Sequence, residues 1–77
     1  MVSSHHDPAG APKRLLRIKS VQSVTGLSRS TLYNKITLGE FPAPIRIGAR
    51  AVAWLADEVA RWIDERISAA RQASGGK

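Results

Sequence analysis

Residues 24–33 read Val24-Thr25-Gly26-Leu27-Ser28-Arg29-Ser30-Thr31-Leu32-Tyr33. The stretch closes one short helix, turns on a glycine, and opens a second helix with a hydroxyl cap and an arginine. Gly26 supplies the left-handed backbone that a β-carbon would penalise. Ser28 can accept a hydrogen bond from an unpaired first-turn N–H. Two short helices joined by so tight a turn form a helix-turn-helix, the arrangement that offers the front of the second helix to DNA.

Working outward, Ser20 is the expected cap of the first helix, which runs to about Thr25 with Val21 and Val24 facing inward. Leu15-Leu16-Arg17-Ile18 reads as a short apolar, extended lead-in. The second helix runs from its Ser28 cap to about Leu38. Leu27 enters the core, and Leu32 and Ile36 mark the buried stripe. The opposite face carries Ser30, Asn34 and Thr37, flanked by Thr31 and Lys35, and has no acid. Gly39 stops this helix, and the prolines of Phe41-Pro42-Ala43-Pro44 exclude regular structure there while Phe41 plugs the core. Ile45-Arg46-Ile47 and Ala51-Val52-Ala53-Trp54, around Gly48-Ala49-Arg50, predict a β-hairpin or wing. It carries Arg46 on a strand and Arg50 at the turn.

Leu55 to about Arg71 is the longest periodic segment, with Leu55, Val59, Trp62, Ile63, Ile67 and Ala70 on one face. Asp57–Arg61 and Arg61–Glu65 are oppositely charged neighbours at helical spacing. Trp54 and Trp62 fall on apolar patterns and read as core anchors. The expected fold is mainly α with a small β-hairpin: a winged helix-turn-helix of three helices plus a two-stranded wing. It occupies residues 14–71, between disordered tails at 1–13 and 72–77.

Composition narrows the function. The chain has 77 residues, no cysteine, and a formal net charge of +6. That excludes a disulfide framework and thiolate metal sites. No apolar run is long enough for a membrane span, and Met1–Pro12 lacks the apolar core of a secretory signal, so a cytoplasmic protein is expected. His5-His6 has no third ligand nearby and reads as tail composition, not a metal site. Between Lys13 and Arg50 there are eight basic residues and one acid, Glu40, a local charge of +7. Residues from Ala51 onward sum to zero. One-sided basicity of this kind marks a polyanion binder, although a solvated basic face would look the same by charge alone.

No catalytic constellation, phosphate loop or cofactor motif is present, and so small a core leaves little room for a substrate pocket. An enzyme with a small-molecule substrate is not expected. The chemistry points to double-stranded DNA. The N-terminus of the second helix favours a phosphate at Ser28-Arg29-Ser30. The hydroxyls of Ser28, Ser30, Thr31 and Tyr33 can bond phosphate oxygens or base edges. Arg29 can pair bidentately with guanine and Asn34 with adenine. Lys35, Arg46 and Arg50 add charge for phosphates. In the plainer alternative, Ser28 only caps the helix while Thr31 and Tyr33 pack locally.

The run Arg17-Ile18-Lys19 through Thr25-Gly26-Leu27-Ser28-Arg29-Ser30-Thr31-Leu32-Tyr33 resembles the AlpA family of phage and prophage regulators. So do Gly39-Glu40-Phe41-Pro42-Ala43-Pro44-Ile45-Arg46-Ile47-Gly48, Ala51-Val52-Ala53-Trp54-Leu55, Glu58-Val59 and Trp62-Ile63. The resemblance implies a winged helix-turn-helix related to the MerR and excisionase groups. It implies a transcription regulator, often of an integrase gene, or a recombination directionality factor. The family usually has a basic residue where Asn34 stands, and often a basic residue or glycine at Ala53, before the tryptophan. Two alternatives to a regulator stay open: an excisionase-like factor that bends DNA at attachment sites, and an antitoxin-like interaction module using Trp62, Ile63 and Ile67. Copies of the chain are expected to bind DNA cooperatively.

Overall fold

The computed structural model describes residues 12–75. His5-His6 and most of the expected N-terminal tail lie outside the described residues. The elements in chain order are β1 (Leu15–Leu16), α1 (Ile18–Thr25), α2 (Arg29–Thr37), β2 (Ile45–Arg46), β3 (Val52–Leu55) and α3 (Ala56–Gly75).

α1 starts earlier than expected. Its cap is Arg17, extended and without a side-chain hydrogen bond, and Ser20 lies exposed inside the helix. The chain passes from β1 straight into the first turn, where the Val21 N–H donates to the Arg17 carbonyl at 3.0 Å. Position, and not the capping talent of serine, sets this start. Val24, expected inward, is 53% exposed. Its place is taken by the i+4 neighbour of Val21: Thr25 is half-buried, donates to the Val21 carbonyl at 2.7 Å and accepts from the Leu27 N–H at 3.2 Å.

Gly26 has φ +76°, as the turn requires. Ser28 caps α2, its hydroxyl oxygen accepting from the Thr31 N–H at 3.2 Å. The helix ends where Gly39 adopts φ +75°. There the Glu40 N–H donates to the Lys35 carbonyl and the Gly39 N–H to the Ile36 carbonyl, the paired closure of a Schellman motif. Two indoles then clamp the proline-rich loop. Trp62 donates to the Glu40 carbonyl at 2.7 Å and Trp54 to the Pro42 carbonyl at 2.9 Å. Phe41, between the accepting residues Glu40 and Pro42, is buried and meets Trp62 edge to face at 4.9 Å.

The wing is larger than expected. β3 pairs antiparallel with β2 (Ile45 opposite Ala53) and also with β1 (Leu16 opposite Trp54), in the order β1-β3-β2. A two-stranded hairpin is marginal alone, and the apolar lead-in supplies the third strand. Leu55, expected to open the long helix, is the last residue of β3.

Val21, Leu32, Phe41, Trp54 and Val59 form the buried core, with Leu16, Ile18, Leu27, Tyr33, Ile36, Val52, Trp62 and Ile63 packed against it. α3 leaves this core after Ile63. Ile67 is 42% exposed and Ala70 is exposed, so the expected apolar face ends early. The helix continues past the expected end at Arg71 to Gly75. Arg61 pairs with neither Asp57 nor Glu65; among the described residues the one ion pair is Lys35–Glu40 at 3.8 Å. A flexible exposed pair gains too little in water to hold its geometry. The result is a mainly helical winged helix-turn-helix.

Candidate nucleic-acid interface

α2 buries Leu32 and half-buries Tyr33, Lys35 and Ile36. Arg29, Ser30, Thr31, Asn34 and Thr37 are left exposed. Five of the nine residues of this helix therefore face solvent, and none is acidic. The local reason is amphipathicity: only the Leu32–Ile36 side meets the core, so the other side is free to take a partner.

The side chains on that face differ in freedom. The Ser28 hydroxyl caps the helix and also donates to the Thr31 hydroxyl at 2.9 Å, so the two form one local unit. The Thr37 hydroxyl turns back to the Tyr33 carbonyl at 3.0 Å. The Arg29 guanidinium lies 5.5 Å over the Tyr33 ring. Tyr33 in turn meets buried Trp54 edge to face, with centroids 6.3 Å apart. Arg29 thus rests on an aromatic stack rooted in the core. Lys35 is half-buried beside Glu40 at 3.8 Å.

On the wing, Arg46 and Arg50 are both exposed. The Arg46 guanidinium donates to the Ala49 carbonyl at 3.0 Å, and the Ile47 N–H donates to the Ala51 carbonyl at 2.9 Å. These bonds fix the turn that presents Arg50. Ala53 is fully buried on β3, so its side chain offers no contact at the wing surface.

α1 contributes residues that the motif did not single out. Lys19, Gln22 and Ser23 line a shallow groove of about 520 Å³ with Gly26, Leu27 and Ser28, beside the start of α2. The helical spacing of Lys19, Gln22 and Ser23 places them on one face, a signal that was present in the sequence. Among the described residues no group of three or more His, Cys, Asp or Glu side chains could hold a metal, and no helix is long and apolar enough to cross a membrane.

Residues 14–67 match the family model described as the prophage CP4-57 regulatory protein, AlpA. The chain belongs to the AlpA family. The match spans every strand, both helices of the turn and the packed part of α3. The chain is 46% identical over 56 residues to the uncharacterized protein ORF88 of enterobacteria phage P4. That alignment covers 73% of this chain and 64% of the phage protein. The chain is also 29% identical over 59 residues to the DNA-binding transcriptional activator AlpA of Escherichia coli strain K12, covering 69% of this chain and 84% of that protein.

Proposed function

We propose that this AlpA-family chain is a sequence-specific, double-stranded DNA-binding transcriptional regulator of the phage and prophage type, working in the cytoplasm and not an enzyme. Residues 14–71 are its DNA-binding domain. The observation that carries this reading is the exposed, acid-free face of α2, with Arg29, Ser30, Thr31 and Asn34 beside a capped N-terminus. It sits within a segment of local charge +7. α2 enters the major groove. Arg29 pairs with guanine and Asn34 with adenine. Ser28, Ser30 and Thr31 bond phosphate oxygens near the helix N-terminus. Tyr33 holds Arg29, and Lys35, Arg46 and Arg50 neutralise phosphates on either side.

One short helix and one wing touch only a few base pairs, too few to mark a single site in a genome. Copies of the chain therefore bind adjacent sites cooperatively. The promoter of an integrase gene is the first target. Selection of binding sites from a random duplex library tests the reading. A recurrent motif containing guanine and adenine within one major-groove face is expected, and recovery of no enriched motif rejects sequence-specific regulation.

A further inference from the structure

α3 runs on to Gly75, but its packing against the core ends at Ile63. From Asp64 to Ala73 every residue is exposed. Roughly three turns of helix standing free in water are marginal without a partner. Their apolar stripe continues the core-facing side, with Ile63, Ile67 and Ala70 at helical spacing. Ile67 is 42% exposed.

The charges around the stripe divide by side. At about 3.6 residues per turn, Asp64 and Arg71 lie on one flank and Arg66 on the other. Glu65 lies on the far side, where it lines the groove with Arg61. Arg66 already rests over the Trp62 ring, 5.8 Å from its centroid. Asp64 and Arg71 make no ion pair among the described residues. They stand about 10 Å apart along the helix axis, too far to meet each other.

A second copy running the opposite way fits this pattern. With Ile67 of one copy opposite Ala70 of the other, each stripe covers the other. Reversal sets like flank against like flank, so Asp64 faces Arg71 of the second copy, and Arg71 faces its Asp64. On the other flank Arg66 comes opposite Ala73, so no like charge opposes it there. A pair running the same way is excluded by shape. Ile63 faces the core, so the body of the domain overhangs the start of the stripe, and two bodies side by side would collide. Reversal places the bodies at opposite ends. The contact also joins the neutral part of the chain, since residues from Ala51 onward sum to zero charge.

We propose that α3 beyond Ile63 pairs antiparallel with the same segment of a second copy, Ile67 against Ala70 and Asp64 against Arg71. The contact is two-fold symmetric and closes on two copies. It stands on the geometry of α3; its consequence for DNA rests on the DNA-binding reading above, and is that cooperative sites are inverted. So few side chains bury far less than the area of a stable free dimer. Free chains therefore pair only at about 0.1–1 mM, and are monomers at micromolar concentration. DNA raises the effective concentration of two copies and brings the contact into play.

The first test needs no DNA. Sedimentation equilibrium of wild type up to about 1 mM is expected to show dimers. D64R and R71D alone each turn two attractive pairs repulsive, and should weaken dimers about tenfold. The double swap D64R/R71D keeps the net charge and restores the pairing, as does an equimolar mixture of the two single variants. Unchanged melting curves confirm that each variant folds. No wild-type dimer, undiminished pairing in the single variants, or no rescue overturns the proposal and leaves the regulator reading intact. The second test uses duplexes carrying one selected site, or two in inverted or direct orientation over a series of spacings. Wild type and the double swap are expected to bind an inverted pair about tenfold more tightly per site, and the single variants to lose that advantage. An advantage confined to direct repeats overturns the two-fold contact. Dimers in solution from a chain that binds no duplex support the contact and reject the regulator reading.

Discussion

On the proposed function Arg29 is the side chain on which base discrimination turns, and in the structure it lies over Tyr33. A guanidinium resting on a ring 5.5 Å away loses less freedom when it pairs with a base than one waving in solvent. Tyr33→Phe keeps the ring and is expected to leave the selected DNA motif unchanged. Tyr33→Leu keeps the packing bulk but removes the cation–π contact, and is expected to weaken preference at the Arg29-read base by about 0.5–1 kcal/mol. Competition binding with a substituted guanine checks both; a loss of affinity in Tyr33→Phe would place the phenol on DNA instead. Arg29→Ala and Asn34→Ala should each cost about 1–3 kcal/mol of discrimination at separate positions. Arg46→Ala and Arg50→Ala should weaken all sequences alike, as phosphate contacts do. If Asn34→Ala leaves the selected motif intact, α2 sits in the groove in another orientation. The exposed placement of Arg29, Asn34 and the wing arginines was legible in the sequence, because helical spacing and a hairpin turn are local facts. The support under Arg29 was not, because Tyr33 meets Trp54 only once β3 has packed behind α2.

The elements that begin and end on glycine follow from local chemistry. Gly26 and Gly39 both hold positive φ, and a β-carbon on either would meet no atom within 4 Å. Gly26→Ala and Gly39→Ala should therefore cost only backbone strain, about 1–2 kcal/mol each, read as a lower urea midpoint with unchanged slope. Both turns were readable beforehand, as were the Ser28 cap, the Leu32–Ile36 stripe and the β2–β3 hairpin. What was not readable depends on distant partners. Leu15–Leu16 becomes a strand only because β3 leaves an open edge for it. Serine chemistry favoured Ser20 as a cap, but the chain already turns at Arg17. On α3 the apolar period runs on to Ile67 and Ala70, although the core it was expected to cover ends at Ile63. The two halves of that helix should respond differently. Trp62→Ala loses the edge contact with Phe41 and the bond to the Glu40 carbonyl, and should cost about 3–5 kcal/mol. Ile67→Ser should stay within about 0.5 kcal/mol of wild type, as exposed substitutions do. A large loss at Ile67 in thermal melts of the free protein would mean that its face is covered in solution.

At the scale of the whole molecule, charge and core divide the labour. Buried Val21, Leu32, Phe41, Trp54 and Val59 carry no ionisable group, so nothing in the core competes with the surface for charge. The basic residues accumulate before Ala51, on the helix-turn-helix and wing, while the α3 half is neutral overall. A field arranged this way orients the molecule toward a polyanion before any base is read. Its thermodynamic signature is the release of counterions from DNA. With about four to six phosphate contacts, the logarithm of affinity should fall against the logarithm of salt with a slope of roughly −4 to −5. Arg46→Ala and Arg50→Ala should each make that slope shallower by about one unit, because each removes one phosphate contact. Asn34→Ala should leave it unchanged, since an uncharged base reader releases no counterion. Titrations on a single-site duplex across a range of potassium chloride concentrations measure all four slopes. A wild-type slope near zero would reject duplex DNA as the partner. A wild-type slope of the expected size that Arg46→Ala and Arg50→Ala do not alter would keep DNA as the partner but remove the wing from the interface, leaving α1 with Lys19 as the source of the missing contacts.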